Sequence, residues 1–160
     1  MVLGSDMGDR EGQLQEAIRL LGNKVGKVTA VSKIYETEPW GFNSEASFLN
    51  QAVAVVTDIS PSDALNAIKA IEKEMGRTTS GSQGYTSRPI DIDIIYIGTL
   101  VIATDELTVP HPLRNNRRFV LAPLVDIAPD FKDPLSEMTV QAMLQCCDDD
   151  SRVEPFRIAI

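Results

Sequence analysis

Residues 60–97 read SPSDALNAIKAIEKEMGRTTSGSQGYTSRPIDIDIIYI. Both ends of a helix, a long loop and a strand are legible in this stretch. Ser60 is an N-cap type, Pro61 suits the first helical position, and Asp63 follows the cap by three. Gly76 stands where a left-handed residue would close the helix. Between them Ala64, Ala67, Ile68, Ile71 and Met75 form one apolar stripe, which places Lys69 and Glu72 side by side off the centre of the buried face. From Gly76 to Pro89 the chain is polar, glycine-rich and free of acids, the composition of a long loop. Residues 90–97 then alternate into a strand in which Ile90, Ile92 and Ile94 face a core.

Upstream, residues 48–57 and 25–36 are two further strand-like runs, the latter carrying Val28, Thr29, Val31 and Ile34. Pro39-Trp40-Gly41 lies in the loop between them. Leu14, Ala17, Ile18 and Leu21 at helical spacing predict a helix over 10–21 that stops near Gly22-Asn23, behind a short strand at Met1–Ser5. Downstream, Val101-Ile102 is expected to pair across the Gly98-Thr99 turn with the preceding strand. Pro110-His111-Pro112 forces an irregular segment, and helices follow near 117–127, disturbed at Pro123, and near 139–147. The order strand, helix, strand, strand, helix, strand is the split βαβ pattern of an α+β ferredoxin-like αβα sandwich, with a mostly antiparallel sheet and extra C-terminal helices.

Length and composition agree with one domain spanning 1–160: 43% hydrophobic, 24% charged, with no repeat or linker. A net charge of −8 supplies no general field for nucleic acid or an anionic membrane, so neither is expected as a partner. No apolar run approaches the roughly 20 residues of a membrane span, and no signal peptide opens the chain, which makes the cytoplasm the expected location. Cys146 and Cys147 are adjacent and fit neither a disulfide framework nor a zinc ribbon. Basic character is local: 76–90 holds Arg77 and Arg88, and 107–125 holds Arg114, Arg117 and Arg118, without an acid in either.

Asp91 and Asp93 are two apart in a strand, so both carboxylates share one side, roughly 6–7 Å apart. Two readings fit. One is a solvated sheet face; the other is a magnesium site, since magnesium commonly takes one or two carboxylates and completes its shell with water and phosphate oxygens. His111, the only histidine, is open to a structural role or to contact with anionic oxygen as a proton donor partly charged near neutral pH. Trp40, Phe42 and Phe48 with Asn43 and Asn50 fit ordinary packing, or a flat slot that stacks a heterocycle and reads its edge. No nucleophile elbow, Walker A or Rossmann fingerprint occurs, and one histidine cannot build a histidine-rich zinc or di-iron site.

Ordered segments resemble a known family, the 6-hydroxymethyl-7,8-dihydropterin pyrophosphokinases of folate biosynthesis. They are Leu3-Gly4-Ser5, residues 35–41 (YETEPWG), Phe48-Leu49-Asn50, Glu72 through Gly76-Arg77, Arg88-Pro89-Ile90-Asp91-Ile92-Asp93, Leu107 to His111, and Asn116-Arg117-Arg118-Phe119 leading to Ala128-Pro129. The resemblance implies transfer of the β,γ-diphosphate of ATP to the pterin hydroxymethyl group, with release of AMP. It implies that Asp91 and Asp93 hold two Mg2+ ions, and that Arg77 and Arg88 act with them in catalysis. Glu72, Arg77, Arg88, Ile92, Thr108, His111 and Arg117 would line the ATP path; Thr37, Trp40, Asn50, Asp91 and Phe119 would form the pterin slot. The loop between Arg77 and Arg88 would be a lid over ATP. Small molecules are the implied partners and a monomer the implied state. Thr86-Ser87, Asp6, Lys69 and Pro112 depart from the family's usual Gly-Pro, Asn, Gln and Tyr. The rivals from other classes are a ligand-binding or regulatory module on the same fold, and a metal-dependent nucleotidyl transferase that would release pyrophosphate.

Overall fold

A computed structural model describes residues 1–38, 47–76 and 89–157. In chain order the elements are β1 (Val2–Ser5), α1 (Arg10–Lys24), β2 (Lys27–Val31), β3 (Tyr35–Thr37), β4 (Phe48–Val56), α2 (Pro61–Glu74), β5 (Asp91–Asp93), β6 (Ile102–Ala103) and β7 (Thr108–Val109). A 3-10 turn (Arg114–Asn116), α3 (Arg118–Ile127), α4 (Val140–Gln145) and β8 (Val153–Pro155) follow.

The main sheet runs β5-β1-β4-β3-β8, with β2 also on β4, and every pairing is antiparallel. Register matters more for the site than order. Gly4 of β1 stands opposite Asn50 of β4 and Asp91 of β5, and Val2 stands opposite Ala52 and Asp93. Opposed residues in antiparallel strands share a face, so these six positions belong to one surface.

Each strand sends alternate residues to two cores. Leu3, Leu49, Val53, Ile90 and Ile92 pack with Leu14, Ala17 and Leu21 of α1 and Ala64, Ile68 and Ile71 of α2. On the other face Val2, Ala52 and Ile95 pack with Val120, Leu121 and Leu124 of α3 and Val140 and Met143 of α4. Fully buried side chains such as Leu3, Leu21 and Ile71 each contribute roughly 2 kcal/mol by removal from water. Among the described residues no helix is long and apolar enough to cross a membrane.

The caps of α2 are as the sequence predicts. The Ser60 hydroxyl accepts from the Asp63 N–H at 3.1 Å and donates to its carboxylate at 2.7 Å, and Gly76 has φ 98°. Several other expectations are corrected. Helix α1 passes through the exposed Gly22 and Asn23 to Lys24, closed by the Val25 N–H donating to the Leu21 carbonyl at 3.0 Å with the Val25 side chain buried in the core. Residues 25–36 form two strands, not one, since the chain bends at Ser32, whose hydroxyl accepts from the Ala52 N–H and donates to the Lys33 carbonyl. The strand over 90–97 is regular only at Asp91–Asp93. Ile102 pairs with Val109 and not with β5, because the Thr104–Leu107 turn folds β6 onto β7. Glu72 is buried, 4% exposed, rather than off the buried face.

Candidate active site

Strand β5 is short, and two contacts pin it. On one edge it pairs with β1. On the other, the Glu72 carboxylate accepts the main-chain N–H of Ile92 at 2.9 Å. With Ile92 itself buried in the core, the flanking Asp91 and Asp93 are directed to the opposite face, where both are half-buried.

That face is the floor of an open cleft with a cavity volume of about 80 Å³, lined by Val2, Gly4, Thr37, Glu38, Phe48, Asn50, Asp91, Asp93, Arg117 and Phe119. At one end the buried Asn50 amide donates to the Thr37 hydroxyl at 2.9 Å. Gly4 lets the Asn50 side chain lie across β1: a Cβ at Gly4 would meet Asn50 Oδ1 at 3.2 Å. At the mouth, the Arg117 guanidinium lies 5.6 Å from the centroid of the Phe119 ring, a cation–π pair that orients both side chains. Phe119 is the second residue of α3, whose start is fixed by the Arg118 N–H donating to Asp149 at 2.8 Å.

His111 follows the buried Val109 and Pro110 and is half-buried. Its N–H donates to the Ile95 carbonyl at 2.9 Å, and its Nδ1 accepts from the Leu113 N–H at 3.2 Å. Neutral imidazole with Nδ1 accepting carries its proton on Nε2. Burial lowers the His111 pKa, helped by Arg117 and Arg114 and opposed by Asp91. The direction favours the neutral imidazole in the ligand-free protein, with Nε2–H as its donor, over the charged form.

The structure thus gathers Thr37, Asn50, Asp91, Asp93, Arg117 and Phe119 around one cleft, and His111 within electrostatic reach of Asp91 and Arg117. Ile92 and Glu72 lie behind β5, and the exposed Thr108 lies on β7; none of the three lines the cleft. Trp40, Arg77 and Arg88, and the expected lid, lie outside the described residues. Sequence reasoning did not single out Val2, Gly4 or Glu38 as lining residues. The signal for Gly4 was its place beside Ser5 at a strand end, which only the β1–β4 register turns into a position beneath Asn50.

The donor set also tests what ion would fit. Among the described residues no three His, Cys, Asp or Glu side chains converge. Two hard carboxylates alone are too few for a closed zinc or calcium site, and suit magnesium, which keeps water and takes phosphate oxygens.

Residues 1–129 match the family model for 7,8-dihydro-6-hydroxymethylpterin-pyrophosphokinase. The chain belongs to that family. A 2-amino-4-hydroxy-6-hydroxymethyldihydropteridine pyrophosphokinase of Porphyromonas gingivalis is 45% identical over 129 residues, 79% of this chain and 88% of the relative. The Bacillus subtilis protein of the same name is 40% identical over 158 residues, 98% of this chain and 93% of the relative. The fold is likewise that of pyrophosphokinase domains. A solved bifunctional chain, described as HPPK-DHPS in complex with substrates, superposes with a TM-score of 0.70 at 18% identity, over 91% of this chain and 42% of the other. This chain therefore spans less than half of that fusion. A mixed helical and antiparallel fold is common to both.

Proposed function

We infer that this pyrophosphokinase-family chain is an ATP-dependent diphosphotransferase of folate biosynthesis. It moves pyrophosphate from ATP to the hydroxymethyl group of 6-hydroxymethyl-7,8-dihydropterin and releases AMP. The observation that carries the reading is one cleft that holds both an amide-and-aromatic slot, Asn50, Thr37 and Phe119, and a paired-carboxylate floor beside an arginine, Asp91, Asp93 and Arg117.

Asn50 offers an amide to the pterin edge and Phe119 a ring to its face, with Thr37 and Asp91 completing the described part of the slot; the family resemblance adds Trp40 as a further pterin contact. Asp91 and Asp93 would hold two Mg2+ ions, which when bound supply charge neutralisation on the phosphate oxygens. Arg117 adds fixed positive charge at the mouth, and the His111 Nε2–H donates to anionic oxygen. Arg77 and Arg88 join them in catalysis, while Glu72 acts from behind β5 through the Ile92 N–H and Ile92 and Thr108 stay outside the cleft lining. In the transfer, the hydroxymethyl oxygen bonds to the β-phosphorus as the bond to the oxygen bridging the α- and β-phosphorus atoms breaks. AMP takes that bridging oxygen, and the hydroxyl proton leaves to solvent. Phosphoryl transfer asks mainly for alignment and charge neutralisation, which this arrangement supplies.

The same reading takes the chain as a single ferredoxin-like αβα domain. The antiparallel order β5-β1-β4, with β2 and β3 both on the far side of β4, supports that topology, as do the two helical layers. A monomer in the cytoplasm completes the reading, checked by size-exclusion chromatography and cell fractionation.

The test of function is product analysis with ATP, Mg2+ and the hydroxymethyl pterin. AMP formed mole for mole with pterin consumed is expected. ADP, pyrophosphate or no product would reject it.

A further inference from the structure

We propose that Asp133 is a positioning residue for the nucleotide half of the site, acting through Arg114 on the main chain at His111. The proposal rests on the reading above that His111 meets the phosphates. Asp133 is fully buried in the loop between α3 and α4, with Arg114 only 7% exposed beside it. It accepts from Arg114 Nε and, at 2.8 Å, from Arg114 Nη2. It also accepts from the Tyr96 hydroxyl at 2.9 Å and from the Leu135 and Ser136 N–H groups at 2.9 and 2.8 Å. Its own N–H donates to the Met138 carbonyl at 2.9 Å and its carbonyl accepts from Glu137 at 2.8 Å. The carboxylate is therefore an anchor wound into its own loop.

Arg114 carries that fixity forward. Two of its nitrogens are taken by Asp133, and the third, Nη1, donates to the His111 carbonyl at 3.2 Å. The Arg114 main-chain N–H donates to the same carbonyl at 3.1 Å. With the His111 N–H on Ile95 and its Nδ1 on Leu113, Nε2 is the His111 polar atom left to face a ligand.

A buried ion pair is often no more stabilising than apolar residues of the same volume. The arrangement is therefore better explained by orientation than by stability: Asp133 makes it possible to bury a guanidinium whose remaining arm holds His111. Asp133, Arg114 and His111 are not among the described residues that line the cleft, so the effect of Asp133 is indirect.

The experiment compares wild type with Arg114→Met/Asp133→Leu and with Arg114→Lys, reading Tm together with KM for ATP and for the pterin in AMP formation. The double variant keeps the buried volume without the charges. It is expected to lower Tm, because the Tyr96 hydroxyl and the Leu135 and Ser136 N–H groups lose their acceptor, and, in the folded protein, to raise the ATP KM about tenfold and leave the pterin KM within about twofold. Arg114→Lys keeps a cation for Asp133 but loses the fork, and is expected to raise the ATP KM about fivefold with the pterin KM unchanged. An ATP KM at the wild-type value in the double variant overturns the proposal. So does a parallel rise in both KM values. If the double variant does not fold, a wild-type ATP KM in Arg114→Lys overturns it equally. A wild-type protein that forms no AMP is a separate outcome, which removes the functional reading on which the proposal rests.

Discussion

Glu72 accepts the main-chain N–H of Ile92, and that N–H lies between the two residues whose carboxylates share the cleft. A buried acid on α2 thereby fixes the height and twist of a three-residue strand on which Asp91 and Asp93 stand. An edge strand this short has little else to hold it on that side.

Glu72→Gln keeps an acceptor oxygen and is expected to lower kcat less than tenfold. Glu72→Ala removes the acceptor, leaves a buried N–H to be satisfied by water, and is expected to lower kcat by about 10- to 100-fold. Steady-state kinetics alongside far-UV circular dichroism separates this from unfolding. Equal activity in the two variants would show that the contact does not position the strand.

Asp93→Ala is expected to depress turnover by about two to three orders of magnitude, because charge neutralisation on the phosphates is lost. Its Tm should stay level or rise slightly, since one of two neighbouring carboxylates is gone. Turnover and differential scanning calorimetry on the same preparation check both halves. A fully active Asp93→Ala protein would remove Asp93 from the metal site.

Gly4→Ala adds a methyl against Asn50 Oδ1 at 3.2 Å, so the amide must tilt by a few tenths of an ångström away from Thr37 or the cleft. The expected outcome is a pterin KM raised about three- to tenfold with the ATP KM unchanged. Isothermal titration with the pterin gives the same comparison without turnover. Unaltered pterin affinity would mean that Asn50 does not read that ligand.

Stability should fall in acid through Asp133. Burial pushes its pKa up, but the Arg114 fork, the Ser136 and Leu135 N–H groups and the Tyr96 hydroxyl outweigh this and hold it well below the ordinary carboxylate value. A carboxylate depressed in the folded state contributes stability that is complete above its unfolded pKa, about 4, and is lost as pH falls towards the folded value. Tm measured from pH 7 to pH 2 should therefore be level through Asp133 down to about pH 4 and then decline. Asp133→Asn should start lower at pH 7 and decline less below pH 4. Parallel curves for the two proteins would contradict the assignment.

Much of this architecture was legible where local chemistry decides it. Ser60, Pro61, Asp63 and Gly76 mark α2 because caps are satisfied within one turn. The period of two through Ile90, Asp91, Ile92 and Asp93 separates core from cleft without knowledge of the partner strand. What was not legible depends on tertiary partners. Glu72 reads as a surface acid, and only the edge N–H of Ile92 explains its burial. Strand β8 is three residues in a polar tail, and it is a strand because Tyr35–Thr37 offers it an edge. The Asn50–Thr37 pair depends on how the chain returns between β3 and β4, which spacing alone does not fix. Asp133 and Arg114 lie 19 residues apart with no motif joining them, so their pairing emerges only once α3 packs on the sheet.

The most direct measurement is a crystal structure with a non-hydrolysable ATP analogue, the hydroxymethyl pterin and Mg2+. The account predicts two ions between the phosphate chain and the carboxylates of Asp91 and Asp93, with the pterin between Asn50 and Phe119. Nucleotide density in the cleft without an ion touching either carboxylate would contradict it.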